Sequence, residues 1–206
     1  IGSGSAYTLT INNGTDTGRV VFSGNNTYTS ATTISSGTLQ VSGSGTLGNN
    51  ANALTIDNAT LDLQKSVTVG SLSMTGTSPA ITNTTGTSSL VVSGTSTLKG
   101  NITTSGAQTY SGAVTLGGAT VINAGSGDVS FGSTTDGANT LSITTTGGTS
   151  FTGAIGATPL TGLTISTATL TAHAITLASS SAISITNSGA GTIDGIIAGR
   201  SEENTA

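Results

Sequence analysis

The amino-acid sequence predicts an all-β protein, a right-handed parallel β-helix (a solenoid) with about 20–21 residues per turn. Three observations predict it. The composition is poor in charge and in helix formers, short alternating runs recur along the whole chain, and large apolar residues return once per turn.

Of the 206 residues only 6% are charged, 31 are glycine, and the formal net charge is −4. An ordinary globular chain is about 25% charged. Helix formers such as Glu, Lys, Arg, Gln and Met are scarce, whereas Thr, Val and Ile suit a pleated, half-buried surface. Val, Ile and Leu recur throughout, so the low hydrophobicity and high charge of a disordered chain do not apply. Cys is absent, which excludes disulfides, a thiolate metal site and a Cys nucleophile. No run of about 18 apolar residues spans a membrane as a helix. The four basic residues, Arg19, Lys65, Lys99 and Arg200, are too few and too scattered for a nucleic-acid partner. No basic–apolar signal peptide opens the chain and Ile1 is not an initiator Met, so the chain is expected to be a fragment or processed segment of a longer repetitive protein.

Taken in order, the alternating runs are Tyr7-Thr8-Leu9-Thr10-Ile11, Thr38-Leu39-Gln40-Val41, Ala53-Leu54-Thr55-Ile56 and Thr60-Leu61-Asp62-Leu63. They continue as Leu141-Ser142-Ile143-Thr144, Leu163-Thr164-Ile165 and Ala182-Ile183-Ser184-Ile185-Thr186. Gly, Ser, Asn or Asp bounds each run, and period-two alternation between such residues reads as strand. Pro79 and Pro159 fall in clusters of breaker residues and are expected in loops.

The strands repeat. Residues 23–34 align without gaps to residues 105–116, an offset of about 82. Successive halving gives a ladder, Tyr7, Tyr28, Val69, Leu90, Tyr110, Phe131, Phe151 and Ile193, at multiples of about 20–21. Strict register leaves rungs open near 48 and 172, which Leu47 and Leu170 fill after small slips. A small polar residue precedes most rungs (Thr27, Thr68, Ser89, Thr109, Ser130, Ser150, Thr192), so the large residue points inward and the hydroxyl outward. A repeat this short cannot bury its apolar face alone and must stack on its neighbours about 4.8 Å away. Right-handedness follows from the preference of parallel crossovers. A sandwich or an antiparallel barrel is the competing all-β reading, and neither requires such a ladder.

Residues 21–41 run strand, Ser-Gly-Asn-Asn-Thr-Tyr, Thr-Thr-Ile and Gly-Thr-Leu-Gln-Val. This segment resembles the passenger-associated β-strand repeat of autotransporter proteins, departing from it at Ser30, where that family carries Gly. Leu47-Gly48-Asn49-Asn50 and Ala59-Thr60-Leu61-Asp62-Leu63 continue the likeness. Residues 100–165, with Asn101-Ile102-Thr103-Thr104-Ser105-Gly106-Ala107-Gln108-Thr109-Tyr110, resemble the β-strand repeats of large, filamentous-haemagglutinin-like bacterial surface proteins. The resemblance implies a β-helical passenger, secretion through a Gram-negative outer membrane and a cell-surface role.

Catalytic chemistry finds little support. The acids Asp16, Asp57, Asp62, Asp128, Asp136, Asp194, Glu202 and Glu203 are dispersed. Asp57 and Asp62 flank an Asn-Ala turn and read as corner residues rather than a catalytic pair. Gly125-Ser126-Gly127-Asp128 echoes a calcium nonapeptide only once, so Asp128 reads as a turn residue. His173 has no second His at ligand spacing and no nearby acid is expected to pair with it, so it is read as a surface or corner imidazole. The Thr-x-Thr pairs, such as Thr82/Thr84 and Thr169/Thr171, are too irregularly spaced for an ice-binding face.

The chain is therefore read as a β-helix over residues 1–199 with a tail or linker at 200–206. No catalytic, cofactor or metal residue is expected, and the function expected is a non-enzymatic stalk or adhesin segment outside a Gram-negative cell. Expected partners are the rest of the same repetitive chain, or other copies stacked head to tail, and a glycan or protein of a host or cell surface. A glycan- or protein-binding module is the first alternative, and a secreted polysaccharide-active enzyme the second. An acid-rich groove marks the enzyme, an exposed apolar strip the binding module, and a plain Ser/Thr wall the stalk.

Overall fold

A computed structural model describes residues 8–12, 18–195 and 197–199. Among these residues there is no helix, and 22 strands form two hydrogen-bonded sheets of 15 and 7 strands. Every strand pairing is parallel. The chain is a β-solenoid of about nine turns.

Each turn crosses three faces. The first face holds Leu9–Ile11, Thr32–Ile34, Ala53–Asp57 and Ser71–Thr75, and the second holds Arg19–Phe22, Thr38–Val41, Thr60–Leu63 and Ala80–Thr82. Further along, the long strands Ser96–Thr103, Val114–Asn123, Ile155–Thr167 and Ile175–Asn187 run from the first face onto the second, joining both into the larger sheet. The third face is the separate sheet of Val67–Val69, Leu90–Val92, Gln108–Tyr110, Val129–Phe131, Gly148–Phe151, Thr169–Ala172 and Gly191–Ile193. Alternate side chains point in and out, as Val114–Asn123 shows by alternating buried and exposed at all ten positions.

The core is built of files, residues stacked in register from turn to turn. On the second face one aliphatic file runs Val20, Leu39, Leu61, Ile81, Ile102, Ile122, Ile143, Ile165 and Ile185 without a break. On the first face the file from Leu9 to Ile197 has ten rungs, and Thr32, Ser96 and Thr135 interrupt its apolar run. Burying each Leu or Ile contributes roughly 1.5–3 kcal/mol, so the files rather than any single contact hold the turns together.

Turn length is not fixed. Val67 pairs with Leu90, a step of 23 residues, and Leu90 with Gln108, a step of 18. Corners absorb the difference while the faces keep register. At one corner Gly70, Gly94 and Gly112 stack, with Gly94 N–H donating to Gly70 O and Gly112 N–H to Gly94 O. A Cβ on Gly112 would lie 2.5 Å from the Gly94 carbonyl carbon, so only glycine fits there. Pro159, expected in a loop, lies inside the strand Ile155–Thr167. Pairing with the following turn breaks register between Ile155 and Leu160, and a residue without an N–H is tolerated at such an irregularity.

Candidate functional site

The sequence-derived ladder maps onto the third face and its corners. Tyr110, Phe131 and Phe151 are fully buried register partners. Their rings stack, with centroids 5.3 Å apart at 16° for Tyr110 and Phe131, and 4.5 Å apart at 1° for Phe131 and Phe151. Val69 is buried and pairs with Val92, which pairs with Tyr110. Leu90 is thus not a rung of this file. It lies in the neighbouring inward file, between Val67 and Gln108, because the long step before it and the short step after it shift the strand by two residues. Position 172 is Ala172, buried and paired with Ile193, whereas Leu170 sits in Leu90's file opposite Thr149. Ile193 is partly buried against the core. Tyr28 is buried in a loop stretch, and the rung near 48 is Gly48 itself. Gly48 has φ +70°, and a Cβ there would lie 2.4 Å from the Tyr28 carbonyl oxygen and 3.0 Å from its ring. Leu47 is buried beside it. Tyr7 lies outside the described residues, as does the tail at 200–206.

Polar groups inside the core are mostly satisfied. The Tyr110 hydroxyl donates to Gln108 Oε1 at 2.8 Å, and Gln108 Nε2 donates to Thr104 Oγ1 and the Asn123 carbonyl, both at 3.0 Å. Burial raises the Tyr110 pKa far above the usual phenol value, because the phenolate would lose its water. Burial also raises Tyr28, whose hydroxyl bonds to Thr32 Oγ1 at 2.5 Å, a bond that opposes the shift. Sequence reading missed Gln108 as a core group, although its position two residues before an inward Tyr places both on one side of a strand. Ser96 Oγ and Thr135 Oγ1 are buried without a hydrogen-bond partner.

The acids do not converge. Asp57 is exposed and accepts from Thr75 Oγ1 at 2.9 Å. Asp62, expected at a corner, lies within the strand Thr60–Leu63 and is buried. It points out of the second face into a polar network. Arg19 donates to Gln40 Oε1 (2.7 Å), Gln40 Nε2 to Gln64 Oε1 (2.9 Å), and Gln64 Nε2 to Asp62 Oδ2 (3.0 Å). Thr84 adds its backbone N–H and its hydroxyl to Asp62, at 3.0 and 2.8 Å. Outward groups on adjacent turns touch though some twenty residues apart, so Asp62 finds partners that its own neighbours in sequence do not supply. Asp128 is exposed and accepts from the Gly148 N–H at 2.7 Å, and Asp136 accepts from the Thr158 N–H at 3.2 Å.

His173 has an exposed side chain, and the expectation that no acid pairs with it is overturned for the same reason. Its Nδ1 pairs with the Asp194 carboxylate, 21 positions on, because stacking sets the two residues on neighbouring turns. Among the described residues no group of three or more His, Cys, Asp and Glu gathers as a metal site, and no helix is long and apolar enough to cross a membrane.

The outer walls are hydroxylic. On the first face Thr10, Thr33, Thr55, Ser73, Thr97 and Thr115 form one outward file that ends at Asp136. On the third face Thr109, Ser130, Ser150, Thr171 and Thr192 form another, with Ser150 Oγ 3.2 Å from Ser130 Oγ. Val91, not Ser89, is the rung below Thr109, the same two-residue shift that moves Leu90. The third face also carries a shallow groove of about 160 Å³ lined by Asp128, Ser130, Gly148, Ser150, Thr169 and Thr171.

Residues 15–41 match the family model of the passenger-associated-transport-repeat. The repeat covers the strands Arg19–Phe22, Thr32–Ile34 and Thr38–Val41, and with them buried Tyr28 and the Gln40 end of the polar network. It confirms the autotransporter passenger resemblance drawn from residues 21–41. Neither the curated proteins nor the solved structures give a match. A passenger-associated-transport-repeat on a β-solenoid fits a segment of a surface passenger and suggests a secreted or surface location in Gram-negative bacteria.

Proposed function

We propose that the chain is a non-enzymatic structural segment, a rigid spacer that carries or displays other material outside a Gram-negative cell. The plain hydroxyl walls carry this reading. Ser and Thr files cover the first and third faces, and the exposed large apolar residues of the side walls, Val21 and Val121, stand singly. Such a wall is wetted at low cost, offers no apolar platform, and carries a single carboxylate, Asp128, at the third-face groove. The passenger-associated-transport-repeat supports the extracellular setting. The dispersed acids speak against the secreted polysaccharide enzyme, which needs two carboxylates facing one bond.

A binding module is the second reading, favoured by the groove at Asp128. There one carboxylate oxygen is held by Gly148 N–H beside the hydroxyls of Ser130, Ser150, Thr169 and Thr171. The groove holds no aromatic ring on which a sugar could stack. A glycan array probed with the purified chain, beside an Asp128→Ala variant, separates the readings. The spacer account expects no signal above background for either protein. Glycan binding by the parent that the variant loses would replace it with the binding module.

A further inference from the structure

We infer that a hollow in the wall, between residues 42–52 and the strand Val67–Val69, binds an extended, carboxylate-bearing peptide. The site adds a ligand to the spacer and does not depend on that reading.

Lys65 supplies the charge. Among the described residues every other charged side chain has a partner from the chain. Arg19 donates to Gln40, Lys99 donates to the Gly76 carbonyl, and Asp194 pairs with His173. Asp57, Asp62, Asp128 and Asp136 each accept a hydrogen bond. Lys65 is partly buried and is the exception. It lines a hollow of about 200 Å³ together with Leu47, Asn50, Ser66, Val67 and Thr68. The side chains of Asn50 and Thr68 are also without a hydrogen-bond partner among the described residues. An ammonium group drawn partly out of water gains most from an anion.

The backbone gives a second, independent signal. Val67–Val69 is an edge strand of the seven-stranded sheet and pairs only with Leu90–Val92. Val67 N–H donates to the Ser89 carbonyl at 2.9 Å, and the Val69 carbonyl accepts from Ser93 N–H at 3.0 Å. Main-chain groups alternate sides along a parallel strand, so the Thr68 N–H and C=O point the other way, towards residues 42–52. Those residues form no strand and bond back to the turn before them. Asn26 N–H donates to Thr46 Oγ1 at 2.8 Å, and Asn49 N–H donates to the Tyr28 carbonyl at 3.2 Å. Among the described residues the main-chain bond that crosses the gap is Gly70 N–H to the Asn52 carbonyl, at 2.8 Å, beyond the hollow. Described residues flank the gap on both sides, so it is a feature of the wall.

A strand edge beside a free cation is the arrangement used in strand addition. An extended peptide pairs its own N–H and C=O with Thr68 and sets a carboxylate on Lys65. Buried Leu47 and Val67 line the hollow with aliphatic surface, which suits the methylenes of a Glu side chain. No aromatic ring lines it, so a sugar has no surface on which to stack. The same lysine discourages a neutral or basic edge from pairing there, which makes the site selective for acidic strands.

The probe is acetylated tetraglutamate amide, titrated into the isotope-labelled chain and followed by nuclear magnetic resonance. Saturable shifts are expected at the amides of Leu47 and of Lys65 to Thr68, and the Thr68 N–H is expected to exchange more slowly with solvent in the complex. Lys65→Gln is expected to weaken binding about tenfold or more, as is replacing the probe by tetraglutamine. Lys99→Gln, whose ammonium is already held by Gly76, is expected to bind like the parent. Unmoved amides with tetraglutamate, equal binding by the Lys65→Gln variant, or unchanged exchange at Thr68 would overturn the inference. Tetragalacturonate filling the hollow where tetraglutamate does not would also overturn it, and would assign the hollow to an acidic sugar. The spacer reading keeps its own test, the glycan array with Asp128→Ala.

Discussion

Phe131 lies between Tyr110 and Phe151 in a file where every ring is fully buried, so a charge at this position has neither water nor a partner. Phe131→Asp is expected to destabilise the fold by more than about 4 kcal/mol. Chemical denaturation measures it, and a midpoint equal to the parent's would remove the aromatic file from the account. Thr135 presents the opposite case. Its buried hydroxyl has no partner, and an unmet hydroxyl costs about 1–3 kcal/mol. Thr135→Val keeps the shape and removes the unmet group, so it is expected to raise the melting temperature; a lower value would mean that the hydroxyl is satisfied.

Tyrosine titration is a second residue-scale test. The folded state raises the pKa of Tyr110 and Tyr28 above 10, so both favour folding fully below pH 10. That contribution is lost as pH climbs from 10 through the folded values. In a Tyr7→Phe, Tyr28→Phe background, the phenolate absorbance of Tyr110 should appear only together with unfolding. Ionisation of Tyr110 near pH 10 in a protein with native circular dichroism would contradict its burial.

At the scale of the element, sequence reading succeeded wherever alternation was regular and failed wherever turn length changed. The stretch from Gln108 to Ile193 steps by 20 or 21 residues, and here the inferred register of Tyr110, Phe131, Phe151 and Ile193 matches the pairing. Leu90 broke the pattern because a 23-residue step is followed by one of 18, and a fixed period cannot see compensating corners. The aliphatic file from Val20 to Ile185 is more continuous than the aromatic one, yet Val, Leu and Ile are too common in this chain to stand out. Polar partners were hidden for a different reason. Gln40 with Gln64, Asp62 with Thr84 and His173 with Asp194 are 24, 22 and 21 residues apart, distances that become contacts only once the turns are stacked. The corners are testable here. Gly112→Val places a side chain against the Gly94 backbone and is expected to cost about 2 kcal/mol or more, while Gly24→Val, where a Cβ meets nothing within 4 Å, should cost far less. Equal losses for both would show that the glycine stack does not set the spacing of the turns.

For the whole molecule, the spacer proposal depends on a rod whose turns interlock by parallel pairing. Few charges and many files give a stability spread along the axis, with each turn held by its neighbours. Such a body suits display, because length scales with the number of turns while the walls stay chemically plain. A secreted or surface location is suggested by the repeat at residues 15–41, since hydroxyl walls alone name no partner.

The central claim is parallel, in-register stacking of successive turns, and an engineered disulfide tests it most directly. Ser130 and Ser150 are register partners on the outer third face, with side-chain oxygens 3.2 Å apart. In the Cys-free chain, a Ser130→Cys, Ser150→Cys variant should close an intramolecular disulfide almost completely under mild oxidation. Thr109→Cys with Ser150→Cys, two turns apart at roughly 9.6 Å, should keep free thiols. Free thiols in the first variant, or equal closure in both, would contradict the solenoid.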